Sequence, residues 1–126
     1  MEKIYRAKVI HGSKIGQKLG FPTINLENPN LLEGEKEGVY AVKVKIKNTI
    51  YNGLLFYGPR VILGEKNKIL EIYLFNFDKQ IYGELITFQI ASYIRPVKNF
   101  ASSGKYKKQL AFDSQKAKQI LVKANN

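Results

Sequence analysis

Cysteine is absent from the 126 residues. Its absence excludes disulfides, thiolate nucleophiles, cysteine-ligated zinc and iron–sulfur clusters. Histidine occurs once, as His11, so no site can be built on two imidazoles. No apolar run approaches the roughly 18 residues of a membrane-spanning helix. The opening Met1-Glu2-Lys3-Ile4 lacks the apolar stretch of a signal peptide. Acidic side chains are scarce: 10 Asp plus Glu stand against 21 Lys plus Arg, a formal charge of +11. These absences predict a small, soluble, cytoplasmic, basic protein. Apolar residues make up 44 %, with 7 Phe and 8 Tyr, enough to bury a core and to argue against disorder despite the charge. A chain of this length is expected to form one domain over residues 1–126.

The positive charge draws attention to nucleic acids and other polyanions. Its distribution argues for a blander use. Lys43, Lys45 and Lys47 alternate with Val42, Val44 and Ile46, as on the wet face of a half-buried strand. An RNA-binding barrel would interleave aromatics with Lys and Arg on an open strand face. Tyr73, Phe75 and Phe77 instead alternate with apolar Ile72 and Leu74, which reads as core.

Along the chain, residues 3–10 read as a strand, residues 11–20 as a loop with three glycines, and Phe21–Leu26 as an extended segment held by Pro22. Val39–Lys47 alternates strictly and turns at Asn48-Thr49 into Ile50–Tyr57, a hairpin. Ile69–Phe77 is apolar on both faces, and Ile81–Ile94 returns with a bulge expected near Gly83. The tail is helical. Tyr106 and Leu110 are four apart, and Ala117, Ile120, Leu121 and Ala124 continue a stripe. Gly104 and an N-cap at Asp113 predict two short helices. Six strands without intervening helices imply an all-β antiparallel barrel or sandwich with a C-terminal helix on its side.

Three features carry chemistry. Gly12, Gly16 and Gly20, with Lys14 and Lys18 between them, offer exposed backbone N–H groups and compact positive charge, a setting for an oligophosphate. The loop is not a P-loop, and its bland use is as a connection. Thr23 and Asn25 are two apart in an extended segment and so project to one face. Their neutral oxygens suit Mg²⁺, whose shell waters and substrate phosphates complete, or they satisfy nearby backbone. Glu71 is the one charged residue from Ile69 through Phe77. A carboxylate there is costly to bury unless paired or functional. It suits a general base, or else an outward glutamate at the barrel rim or a salt bridge to a lysine or Arg95.

In combination these features are specific. The run Leu19-Gly20-Phe21-Pro22-Thr23-Ile24-Asn25, followed by Gly38-Val39-Tyr40, by Glu71, and by Ile81-Tyr82-Gly83, resembles the riboflavin kinase (flavokinase) family. The tail agrees, with Ile94-Arg95-Pro96, Phe100, Gln109-Leu110 and Asp113. The resemblance runs from about Val9 to Leu121. It implies a six-stranded Greek-key barrel with a C-terminal helix, and transfer of the γ-phosphoryl group of ATP to the ribityl 5′-hydroxyl of riboflavin, giving FMN. It implies Mg²⁺ with the ATP phosphates at Thr23 and Asn25. Gly12, Lys14, Gly16, Lys18, Gly20, Pro22 and Thr23 would bind the nucleotide, Glu71 would accept the hydroxyl proton, and Arg95, Phe100 and Asp113 would lie near the flavin. Riboflavin and ATP are then its small-molecule partners, with no membrane or nucleic acid involved and a monomer as the default. In most bacteria this domain follows an adenylyltransferase domain, so the chain is expected to be a stand-alone kinase or an excised domain. A non-catalytic flavin- or nucleotide-binding module of the same fold is the competing reading. The sequence departs from the family's pattern at Tyr73, where a histidine is usual, at Phe56–Val61, and at Val97 after Arg95-Pro96.

Overall fold

The computed structural model describes residues 3–10, 23–59 and 67–124. Among them are β1 (Ile4–Ile10), β2 (Thr23–Leu26), a short 3₁₀ turn (Pro29–Leu32), β3 (Gly38–Ile46), β4 (Thr49–Pro59), β5 (Lys68–Leu74), β6 (Leu85–Arg95) and one helix, α1 (Ser103–Ala124). The six strands close into a barrel in the order β1-β2-β5-β4-β3-β6, and every neighbouring pair is antiparallel. Strands β3, β4 and β5 follow one another as neighbours, and β6 returns to lie beside β3, which is a Greek key. The expected barrel with its C-terminal helix is therefore present.

The period-2 pattern explains which side chains fill the barrel. Tyr40, Val42, Val44 and Ile46 of β3 point inward with Leu70, Ile72 and Leu74 of β5 and Ile86 and Phe88 of β6. Strand β5 is apolar on both faces because both are covered. Its other face, with Ile69 and Tyr73, packs beneath α1 beside Val39, Ala41, Leu54 and Phe56. Helix α1 contributes Tyr106, Leu110, Ala117 and Leu121 to this second layer. Fully burying a side chain such as Leu110 contributes about 1.5–3 kcal/mol. Lys45 lies beyond the helix's cover and is exposed.

Four local expectations are corrected. Strand β5 ends at Leu74 rather than Phe77, because the chain turns through Asn76 in the left-handed region (φ 59°). The β3–β4 turn falls at Lys47-Asn48, with Lys47 at φ 56°. The bulges of β6 lie where its register with β3 skips Ile94 and Ala91, whereas Gly83 (φ 84°) sits in the turn before the strand. The tail is one helix of 22 residues, and Asp113 is not an N-cap. The Ser102 hydroxyl takes that role, accepting from the Lys105 N–H at 3.2 Å, while the Asp113 carboxylate is engaged by other side chains.

Candidate functional site

Strand β2 is short, yet its register decides the site. Thr23 stands opposite Tyr73 and Asn25 opposite Glu71 on β5. Ile24 and Leu26, the alternate residues, are buried in the barrel, so Thr23 and Asn25 project from its outer face and are half-buried. Glu71 lies between inward-facing Leu70 and Ile72 and shares that outer face. The three residues singled out from distant parts of the sequence thus meet on one wall.

One row of paired residues extends the site around the barrel. Glu71 faces Phe56 on β4, Phe56 faces Val39 on β3, and Val39 faces Arg95 on β6. Four strand spacings separate Asn25 from Arg95, roughly 19 Å along the sheet. Gly38 permits the close approach at the Arg95 end. At φ 151° it takes a conformation that side chains disfavour, and a Cβ there would lie 2.2 Å from the Arg95 carbonyl oxygen.

At that end, Arg95 Nε and Nη2 donate to Asp113 Oδ2 at 2.9 and 2.8 Å. Gln109 Nε2 donates to Asp113 Oδ1 at 2.9 Å, one helical turn away. Asp113 is only 1 % exposed, so these charge-assisted bonds offset the cost of burying it. Arg95 Nη1 donates to the Pro96 carbonyl at 3.1 Å. The guanidinium lies 5.7 Å above the Phe100 ring, and Phe100 meets Tyr106 edge-on at 5.2 Å. Arg95, Phe100 and Asp113 therefore form one cluster tying β6 to α1.

The second group surrounds Glu71, which is fully buried. The Tyr73 and Tyr106 hydroxyls are 2.9 Å apart and buried. Burial first, then the charge of Glu71 two residues before it on the same face, holds the Tyr73 phenol well above the usual tyrosine range. A chain of contacts thus runs from Asp113 through Arg95, Phe100 and Tyr106 to Tyr73, which shares its strand face with Glu71.

Gly12, Lys14, Gly16, Lys18, Gly20 and Pro22 lie outside the described residues. Of the other expected site residues, Thr23, Asn25 and Glu71 come together, and Arg95, Phe100 and Asp113 form the second cluster. The sequence marks Gln109 only as part of the family pattern, Tyr73 only as a departure from it and Tyr106 only as part of the helical stripe. One signal for Asp113 was legible: it falls three residues after Leu110 and four before Ala117, a charged residue on the apolar stripe. No group of three His, Cys, Asp or Glu that could hold a metal exists among the described residues. Thr23 and Asn25, two neutral oxygen donors on one half-buried face, instead fit a hard cation that phosphates and water complete.

A family model described as riboflavin kinase matches residues 3–121. The chain is 38 % identical over 119 residues to the bifunctional riboflavin kinase/FMN adenylyltransferase of Haemophilus influenzae, covering 92 % of this chain and 38 % of that protein. It thus spans well under half the length of that curated relative. A crystal structure of riboflavin kinase from Trypanosoma brucei superposes with a TM-score of 0.69 at 23 % identity, over 95 % of this chain and 80 % of that one; this likeness concerns the fold. A crystal structure named as a macrolide-efflux protein from Streptococcus pneumoniae gives a TM-score of 0.76 at 29 % identity, over 91 % of this chain and 38 % of that one. Among the described residues, no helix is long and apolar enough to cross a membrane.

Proposed function

The chain belongs to the riboflavin kinase family, and from that premise we propose that it transfers the γ-phosphoryl group of ATP to the ribityl 5′-hydroxyl of riboflavin, giving FMN and ADP. The observation that carries this reading is the direct opposition of Asn25 and Glu71 on the outer face of the barrel. A base and an oxygen donor suited to a phosphate-bound cation then flank one reacting centre.

In the proposed reaction the 5′-hydroxyl oxygen attacks the γ-phosphorus. A new P–O bond forms as the bond to the bridging oxygen of ADP breaks, and the hydroxyl proton passes to the Glu71 carboxylate. Such transfer has a loose transition state, so positioning and charge neutralisation do most of the work. General-base help from Glu71 adds about 10²–10⁴-fold. Thr23 and Asn25 would hold Mg²⁺ with the ATP phosphates, where the ion neutralises phosphate charge. The segment through Gly12, Lys14, Gly16, Lys18, Gly20 and Pro22 would cover the nucleotide. Arg95, Phe100 and Asp113 would support the flavin at the far end of the row, three strands from Glu71, so that one extended molecule spans ring site and reacting hydroxyl.

Incubation with riboflavin and Mg-ATP, with FMN resolved by chromatography, tests the reading. FMN in proportion to enzyme is expected. Riboflavin binding without FMN under varied metals and nucleotides would leave a non-catalytic flavin binder.

A further inference from the structure

We propose that Tyr73 is a positioning residue for Glu71, and that Tyr106 of α1 holds Tyr73 in that role through their 2.9 Å hydroxyl contact. The proposal rests on the kinase reading of Glu71. Glu71 and Tyr73 are two apart on β5 and leave the same outer face. The Tyr73 hydroxyl meets the Tyr106 hydroxyl, and the Glu71 charge acts on the Tyr73 phenol from the same face of the strand.

Proton counting gives this chain a direction. An ionised carboxylate only accepts, and a phenol carries one proton. With Glu71 ionised, the Tyr73 proton goes to Glu71, and the Tyr73 oxygen accepts from Tyr106. The carboxylate is thereby engaged along its own strand, while β2 carries Asn25 on the opposing side. Tyr106 is itself fixed, because Phe100 packs edge-on against it and Arg95, bonded to Asp113, covers Phe100. The docking of α1 therefore sets the orientation of the base on β5. Two neutral hydroxyls suit the task. They aim the carboxylate without setting a full positive charge beside it, which would stabilise the anion further and blunt its basicity.

Steady-state FMN formation by the full chain tests this. Tyr73→Phe removes the donor and keeps the ring, so kcat should fall about tenfold from misplacement of the base, with KM for riboflavin and ATP within about twofold. Tyr106→Phe should lower kcat in the same direction by less. The double variant should be no slower than Tyr73→Phe alone, because Tyr106 acts only through Tyr73. A Tyr73→Phe enzyme with wild-type kcat overturns the proposal, as do losses that multiply in the double variant. Absence of FMN with the wild-type chain overturns the kinase reading and this proposal together, and the wild-type control makes that case distinct.

Discussion

Asn25 on β2 and Glu71 on β5 occupy directly opposed positions of an antiparallel pair, although 46 residues of sequence separation (71 − 25) lie between them. Cross-strand partners lie roughly 5 Å apart at their Cβ atoms. A one-residue slip of β2 would turn Thr23 and Asn25 into the barrel and Ile24 outward. The four-residue strand is therefore pinned by burial of Ile24 and Leu26, at 5 and 2 % exposure.

Glu71→Gln keeps the shape of the side chain and removes its basicity. FMN formation should fall about 10²–10⁴-fold, while riboflavin binding, followed by flavin fluorescence, should persist. Near-wild-type turnover would reduce Glu71 to a structural residue.

Thr23→Val removes a hydroxyl and preserves strand-favouring shape. KM for Mg-ATP should rise, about tenfold if one oxygen ligand worth ~1.4 kcal/mol is lost, with riboflavin affinity unchanged. Chelation of Mg²⁺ should abolish turnover, and added Mg²⁺ should restore it. Equal Mg-ATP constants for variant and wild type would remove Thr23 from the metal's shell.

Arg95→Ala leaves the buried Asp113 carboxylate without its guanidinium. Removing one partner of a buried pair costs about 3–5 kcal/mol, so the urea unfolding midpoint should drop markedly. Asp113→Asn, which keeps an acceptor for Gln109, should cost less. A midpoint unmoved by Arg95→Ala would show the pair to be dispensable for docking α1.

Alkaline stability should decline in a defined window. Tyr40 is buried, its hydroxyl donates to the Lys36 carbonyl, and burial first, then the Glu35 charge, pushes its phenol up to about 12 from the ordinary 10.0. Above pH ~10 the unfolded chain releases this proton while the folded chain keeps it, so the unfolded state gains. The contribution is complete below pH ~10 and is lost as pH rises toward about 12. Tyr73, raised in the same direction, adds to the fall. Urea midpoints for wild type and Tyr40→Phe from pH 9 to 12 should converge as pH rises. Parallel curves would exclude Tyr40 as a source.

The residues themselves determined a good deal. Alternation in Val39–Lys47 specified a strand because side chains change face at each residue, but its outer face is wet only toward Lys45, since α1 covers Val39 and Ala41. The lone Glu71 in an apolar strand marked a costly carboxylate, and the helical stripe from Tyr106 to Leu121 specified a packed helix. Local pattern could not show which strand stands beside which. The opposition of Asn25 and Glu71 arises from the Greek-key return and the closure of the barrel. Asp113 resembles a cap in sequence because capping is judged from a few neighbours, yet it lies in the middle of one helix. Its true partner, Arg95, lies on another element, 18 residues away, and only burial under α1 makes that pair worth forming. The Tyr73–Tyr106 contact is likewise invisible along the chain, since neither phenol has a reason to pair until helix and barrel exclude water from both.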